Sequence, residues 1–131
     1  MGREKAGDCP NAMTTVDINQ CLSHENGVTE ANYRAFTTAV RAILALPEPQ
    51  MPGEHNPHVG PSGVEATPAT DTAAFDAAES AWQSYSKAEC TAVDVHWRGG
   101  TIVNSMIGQC HLRLARARMD ELASDYMGIL E

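Results

Sequence analysis

Apolar residues recur along most of the chain at intervals of three and four, the signature of helices with one buried face. Ile18, Cys21 and Leu22 begin the pattern, and Tyr33, Phe36, Val40, Ile43 and Leu44 continue it from Thr29 onward. Thr14-Thr15-Val16-Asp17 reads as its start, a hydroxyl cap with an acid in the first turn. Gly27 is either a kink or a break between two helices. A second face carries Phe75, Ala78, Trp82, Tyr85 and Ala88-Glu89-Cys90, with Asp71 as its cap. After Arg98-Gly99-Gly100, Thr101 caps a last helix that turns Ile102, Met106, Ile107, Cys110, Leu114, Ala117 and Leu122 inward and Arg113, Arg116 and Arg118 largely outward. No alternating β-branched run competes. The pattern predicts an all-α domain spanning 1–131, a small bundle of three helices, or four if Gly27 breaks the first, with an antiparallel C-terminal hairpin centred on Gly99-Gly100.

Residues 47–70 interrupt the periodicity. Six of the seven prolines fall here, among Gly53, Gly60 and Gly63, so the stretch is expected to be a loop, either a tolerated insertion or a recognition element. Four cysteines, at 9, 21, 90 and 110, show no short zinc spacing and read as two disulfides. Cys90 and Cys110 are equidistant from Gly100 and therefore face each other in an antiparallel hairpin, which leaves Cys9 for Cys21. A pairing of Cys9 or Cys21 with the hairpin is the competing connectivity. Disulfides place the chain in an oxidising compartment, the periplasm or outside the cell. Its charged start, Met1-Gly2-Arg3-Glu4-Lys5, lacks the apolar stretch of a signal peptide, so the chain is either a mature domain behind a replaced start or a cytosolic one, and the cysteines favour the first.

Composition narrows the partners. Nine Lys and Arg against seventeen Asp and Glu give a net charge of −8, which repels phosphate backbones and argues against nucleic acid. The same charge speeds encounter with a basic protein. No run of about 18 apolar residues is present, so no membrane span is expected. Catalytic motifs such as G-x-S-x-G and H-E-x-x-H are missing, and the chain is read as a non-enzyme that needs no cofactor. His55-x-x-His58 beside Glu54 has a metal-like spacing, but Pro-Gly surroundings would not preorganise it, so no metal is expected. Cys110-His111 resembles an activated thiolate only if its sulfur is free. Phe75, Trp82 and Tyr85 share a face and are assigned to the core. Trp97 sits beside the Gly-Gly turn with His96 and Arg98, where an exposed aromatic anchors a partner or lids the hairpin end. Asp94, Glu48, Glu54 and Glu65 are the acids expected on loops.

Several blocks together resemble the LprI-like family, which includes a lysozyme inhibitor. They are Cys9, then Thr14 or Thr15, then Asp17-Ile18-Asn19-Gln20-Cys21; Asn32 with Tyr33 and Phe36; Trp82 and Tyr85 ahead of Cys90; Gly99-Gly100; and Cys110 followed by Leu114, Arg118 and Leu122. The likeness spans about 9–46 and 71–125, and departs at Ser86, where the family usually carries Arg, and in the long 47–70 stretch. It gives Asn32, Trp82, Tyr85, Gly99, Gly100, Leu114 and Arg118 structural roles. It implies a protein partner: a secreted or periplasmic inhibitor that occludes a lysozyme-like glycosidase, through either 94–101 or 47–70. The candidate contacts are Asp94, His96, Trp97, Arg98, Glu54 and His55. Two alternatives are an immunity protein that neutralises an antibacterial effector and an envelope binding module without an enzyme target.

Overall fold

The computed structural model describes Cys9, residues 14–47 and residues 60–130, with side chains to 126. Three helices follow in order: α1 (Thr15–Leu44), α2 (Pro68–Trp97) and α3 (Val103–Leu130). No strand occurs among the described residues.

α1 starts as its sequence predicts: Thr14 is the N-cap, and its hydroxyl accepts from the Asp17 amide at 3.0 Å. The helix then runs through Gly27 without a break, so the bundle has three helices and not four. A lone glycine costs only about 1 kcal/mol in a helix, and the packed face of this thirty-residue helix, with Leu22, Tyr33, Val40 and Leu44 buried, outweighs it.

α2 starts four residues ahead of the expected Asp71. Thr67 caps it in a reciprocal capping box with Thr70, and Pro68 takes the first helical position, where its missing N–H has no partner to lose. The proline read as a helix breaker is thus a helix starter, and Asp71 is an acid in the first turn. The remainder of the 47–70 expectation rests largely on 48–59, which lies outside the described residues. At the other end of the hairpin, the first bond of α3 runs from the Met106 amide to the Ile102 carbonyl, so the cap position falls on Ile102 rather than Thr101.

α2 and α3 are antiparallel and stapled by Cys90–Cys110, with Cα atoms 5.7 Å apart. Cys9–Cys21 ties the N-terminal segment to α1. Both pairings agree with the equidistance argument, and the competing connectivity is excluded. α1 runs parallel to α3: Asn19 accepts from Ser105 at 2.9 Å, and Asn26 donates to the Gly108 carbonyl at 3.0 Å. Gly108 permits this approach, since a Cβ there would lie 3.3 Å from that of Leu22.

The core has two parts. Tyr33, Val40, Leu44, Phe75, Met119 and Leu122 form the larger, where all three helices converge. Cys90, Cys110 and Leu114 form the smaller, and Trp82 packs against both. The buried stripe of α2 is Phe75, Glu79, Ser86 and Cys90, with Trp82 and Val93 half-buried. This is rotated from the expected face: Ala78, Tyr85 and Ala88 are exposed, Tyr85 at 53%. Polar Glu79 and Ser86 hide the true stripe from a hydrophobicity pattern. On α3 the expected inward residues Ile102 and Ala117 are exposed, while Leu112 and Met119 are buried, because this helix packs against α1 on one side and α2 on the other.

Arg118 is a further correction. Expected outward, its side chain keeps only 12% of its exposure and pairs with Glu79 across the α2–α3 interface. The Glu79 carboxylate accepts from Arg118 Nε and Nη2 on one oxygen, at 3.0 and 2.8 Å, and from the Tyr33 hydroxyl on the other. A charge at this depth is tolerable because its hydrogen bonds are made within the fold.

Candidate functional site

The α2–α3 turn is built to be rigid and exposed. Gly99 has φ of +91°, a conformation that disfavours side chains, and a Cβ on Gly100 would stand 3.2 Å from the Trp97 carbonyl, which accepts the Gly100 amide at 3.0 Å. A side chain at either position would therefore disturb the turn. Seven residues before Trp97 the Cys90–Cys110 bridge fixes the two helices against each other.

Four sequence candidates come together on this tip. Trp97 is 36% exposed, and the His96 ring meets it edge-on with centroids 5.1 Å apart. Arg98 donates to Asp94 at 2.9 Å, an exposed i,i+4 pair that orients both side chains beside the aromatic. Asp94 thus belongs to the last turns of α2, and not to a loop as expected. Val95 and Ile102 add apolar surface, 59% and 41% exposed. Val16 lies at this end too, because α1 runs parallel to α3 and Asn19 meets Ser105 one turn further in. Valines at 16 and 95 were not singled out from sequence, since an exposed aliphatic residue reads as core until its helix face is known.

The remaining candidates are dispersed. Glu48, Glu54, His55 and His58 lie outside the described residues. Glu65 is exposed ahead of α2. Asn32 and Leu114 are buried, at 2% and 6%, and Trp82 stacks on Tyr33 with ring centroids 5.0 Å apart, so these act within the fold. Cys110 is bonded to Cys90, which removes it as a nucleophile beside His111. Among the described residues no group of three or more His, Cys, Asp and Glu is arranged to hold a metal ion, and no helix is long and apolar enough to cross a membrane.

A cleft opens on each of two faces of α3. One, of about 540 Å³, has Ile18 and Leu22 on one wall, Val93 on the other, and Met106, Arg113 and Arg116 along α3. The other, of about 560 Å³, is lined by Asn26, Thr29 and Tyr33 of α1, Trp82 and Ser86 of α2, and His111 and Ala115 of α3. His111 and Arg113 are two residues apart and so project to opposite sides of the helix.

Three helices, two disulfides and a buried Glu–Arg pair define a small disulfide-stapled all-α bundle. Residues 7–122 match the model of the lysozyme inhibitor LprI family, and the chain belongs to that family. No curated protein and no solved structure matches it. The family is one of lysozyme inhibitors, which act on a protein partner.

Proposed function

We propose that this protein is an extracytoplasmic inhibitor of a lysozyme-like cell-wall glycosidase, and that it docks through the α2–α3 tip to occlude the substrate cleft. Membership of the lysozyme inhibitor LprI family carries the reading. Two disulfides suit an oxidising compartment. A net charge of −8 favours encounter with a basic enzyme. The tip supplies what an interface centre needs: one half-exposed indole, flanking Val95 and Ile102, and charges at Asp94 and Arg98 with His96 around them. A glycosidase cleft carries paired catalytic carboxylates, so Arg98 is the group suited to face them, and Asp94 the one suited to neighbouring basic or amide groups.

Lysozyme-driven lysis of bacterial cell walls tests the reading. The oxidised protein slows lysis; a thiol-reduced sample and an unrelated acidic protein do not. Full lysozyme activity at large molar excess of the oxidised protein would overturn it.

A further inference from the structure

The cleft that holds Arg113 combines features that the lysozyme reading does not use. Its walls are mainly apolar, from Ile18 and Leu22 on α1, Val93 on α2 and Met106 on α3, with Cys9 at one edge and Gln109 as a polar group on α3. Arg113 stands seven residues along α3 from Met106, two turns on the same side, or about 10 Å. Arg116 is one turn beyond and approaches Glu25 of α1 at 3.7 Å. No described group pairs with Arg113, although the chain carries seventeen acids. The volume of about 540 Å³ lies within the range of small-molecule sites.

We propose that this cleft binds a free single-chain fatty carboxylate, with its head on Arg113 and its tail along Met106, Val93 and Ile18 towards the tip. Charge complementarity selects the head: a guanidinium that no described residue pairs with, at one end of a mainly apolar trough, takes a carboxylate by paired hydrogen bonds. The walls select the tail. An extended peptide would bury an amide at every residue, each needing partners, and between Arg113 and the tip the lining offers only the Gln109 side chain for them, whereas an acyl chain needs none. The second cleft lacks this polarity, because Arg34 at its rim is already paired with Glu30 at 2.9 Å. The assignment stands independently of lysozyme binding.

The test is titration of the full oxidised chain with monomeric decanoate, followed by amide chemical shifts. Shifts centred on Ile18, Val93, Met106 and Arg113 are expected. Arg113→Gln weakens binding by about tenfold or more, since a charge-assisted contact is lost. Arg34→Gln, at the other cleft, leaves it unchanged. Decan-1-ol, with the same tail and no charge, binds about tenfold more weakly than the acid. Equal binding of acid and alcohol would overturn the proposal, as would shifts centred on Trp82 and His111. Association with phosphatidylglycerol vesicles but not with monomeric decanoate would also overturn it, by showing a membrane-surface contact in its place.

Discussion

Arg118 donates two hydrogen bonds to a single oxygen of Glu79, joining α3 to α2 where the three helices converge. Their side chains are only 12% and 11% exposed, so solvent screens the pair weakly. The other carboxylate oxygen is taken by the Tyr33 hydroxyl of α1, so one group holds all three helices in register. Truncating one partner leaves the other charged and buried. Arg118→Met and Glu79→Leu should each lower stability by about 3–5 kcal/mol. Replacing both together, as Glu79→Leu with Arg118→Met, should cost much less than the sum of the single changes. Urea denaturation of the four proteins measures this, and additive losses would show that the pair is uncoupled.

The same network predicts an alkaline transition. Burial, and then the hydrogen bond and charge of Glu79, raise the Tyr33 pKa well above its ordinary 10.0, partly offset by Arg118. A group whose pKa is raised on folding is more easily ionised when unfolded. Its contribution is therefore fully present below about pH 10 and is lost as the pH rises above that value. Tyr126 has the same sign, chiefly from burial. Tyr33→Phe should be less stable than the native chain at pH 8, having lost a buried hydrogen bond, yet lose stability less steeply above pH 10. The slope is not abolished, because Tyr126 remains. Thermal midpoints across pH 8–11 would give the two slopes, and equal slopes would remove Tyr33 from the account.

Two glycines in helices should respond oppositely to alanine. Gly27 is exposed, and a Cβ there meets nothing within 4 Å, so Gly27→Ala gains helix propensity and should stabilise by about 0.5–1 kcal/mol. At Gly108 the new Cβ would sit 3.3 Å from the buried Leu22 and close to the Asn26 amide that bonds the Gly108 carbonyl. The propensity gain is there cancelled by strain, and Gly108→Leu should cost about 2 kcal/mol or more by pushing α1 from α3. Thermal melts of the three variants check the order, and a stabilised Gly108→Leu would contradict the close approach.

What the sequence disclosed, and what it hid, follows from this packing. Thr14 is legible because Asp17, whose amide it accepts, stands three residues on, whereas Asp71 and Thr101 are displaced as caps by Thr67 and Ile102; Cys90 and Cys110 are legible because a symmetric turn makes distance in sequence a measure of distance in space. The exposure of Trp97 on the tip follows from its place beside Gly99-Gly100. The α2 face was read one position out of phase because Glu79 and Ser86 occupy buried positions that a hydrophobicity pattern assigns to solvent. Arg118 was misplaced for the complementary reason, since its burial depends on a carboxylate thirty-nine residues away. Val16 joined the tip only once α1 was known to run parallel to α3. Pro68 shows that a proline at the start of a pattern carries the opposite meaning from one inside it.

Trp97 provides the sharpest separation of function from folding. It is 36% exposed at the tip and belongs to neither core cluster, so Trp97→Ala should lower stability by about 1–2 kcal/mol, well short of unfolding the bundle. If the tip docks on a glycosidase, the same change removes a central aromatic anchor and should weaken inhibition by about thirtyfold, or some 2 kcal/mol. Arg98→Ala should weaken it less, because the exposed guanidinium is already engaged by Asp94. Tyr85→Ala is the control: an aromatic of comparable size, 53% exposed on α2 at a distance from the turn, whose loss should leave inhibition intact. Inhibition constants for these variants, read beside their melting temperatures, place the binding face. A Trp97→Ala protein that stays folded and inhibits fully would move that face away from the tip, while leaving the fold and its family unchanged.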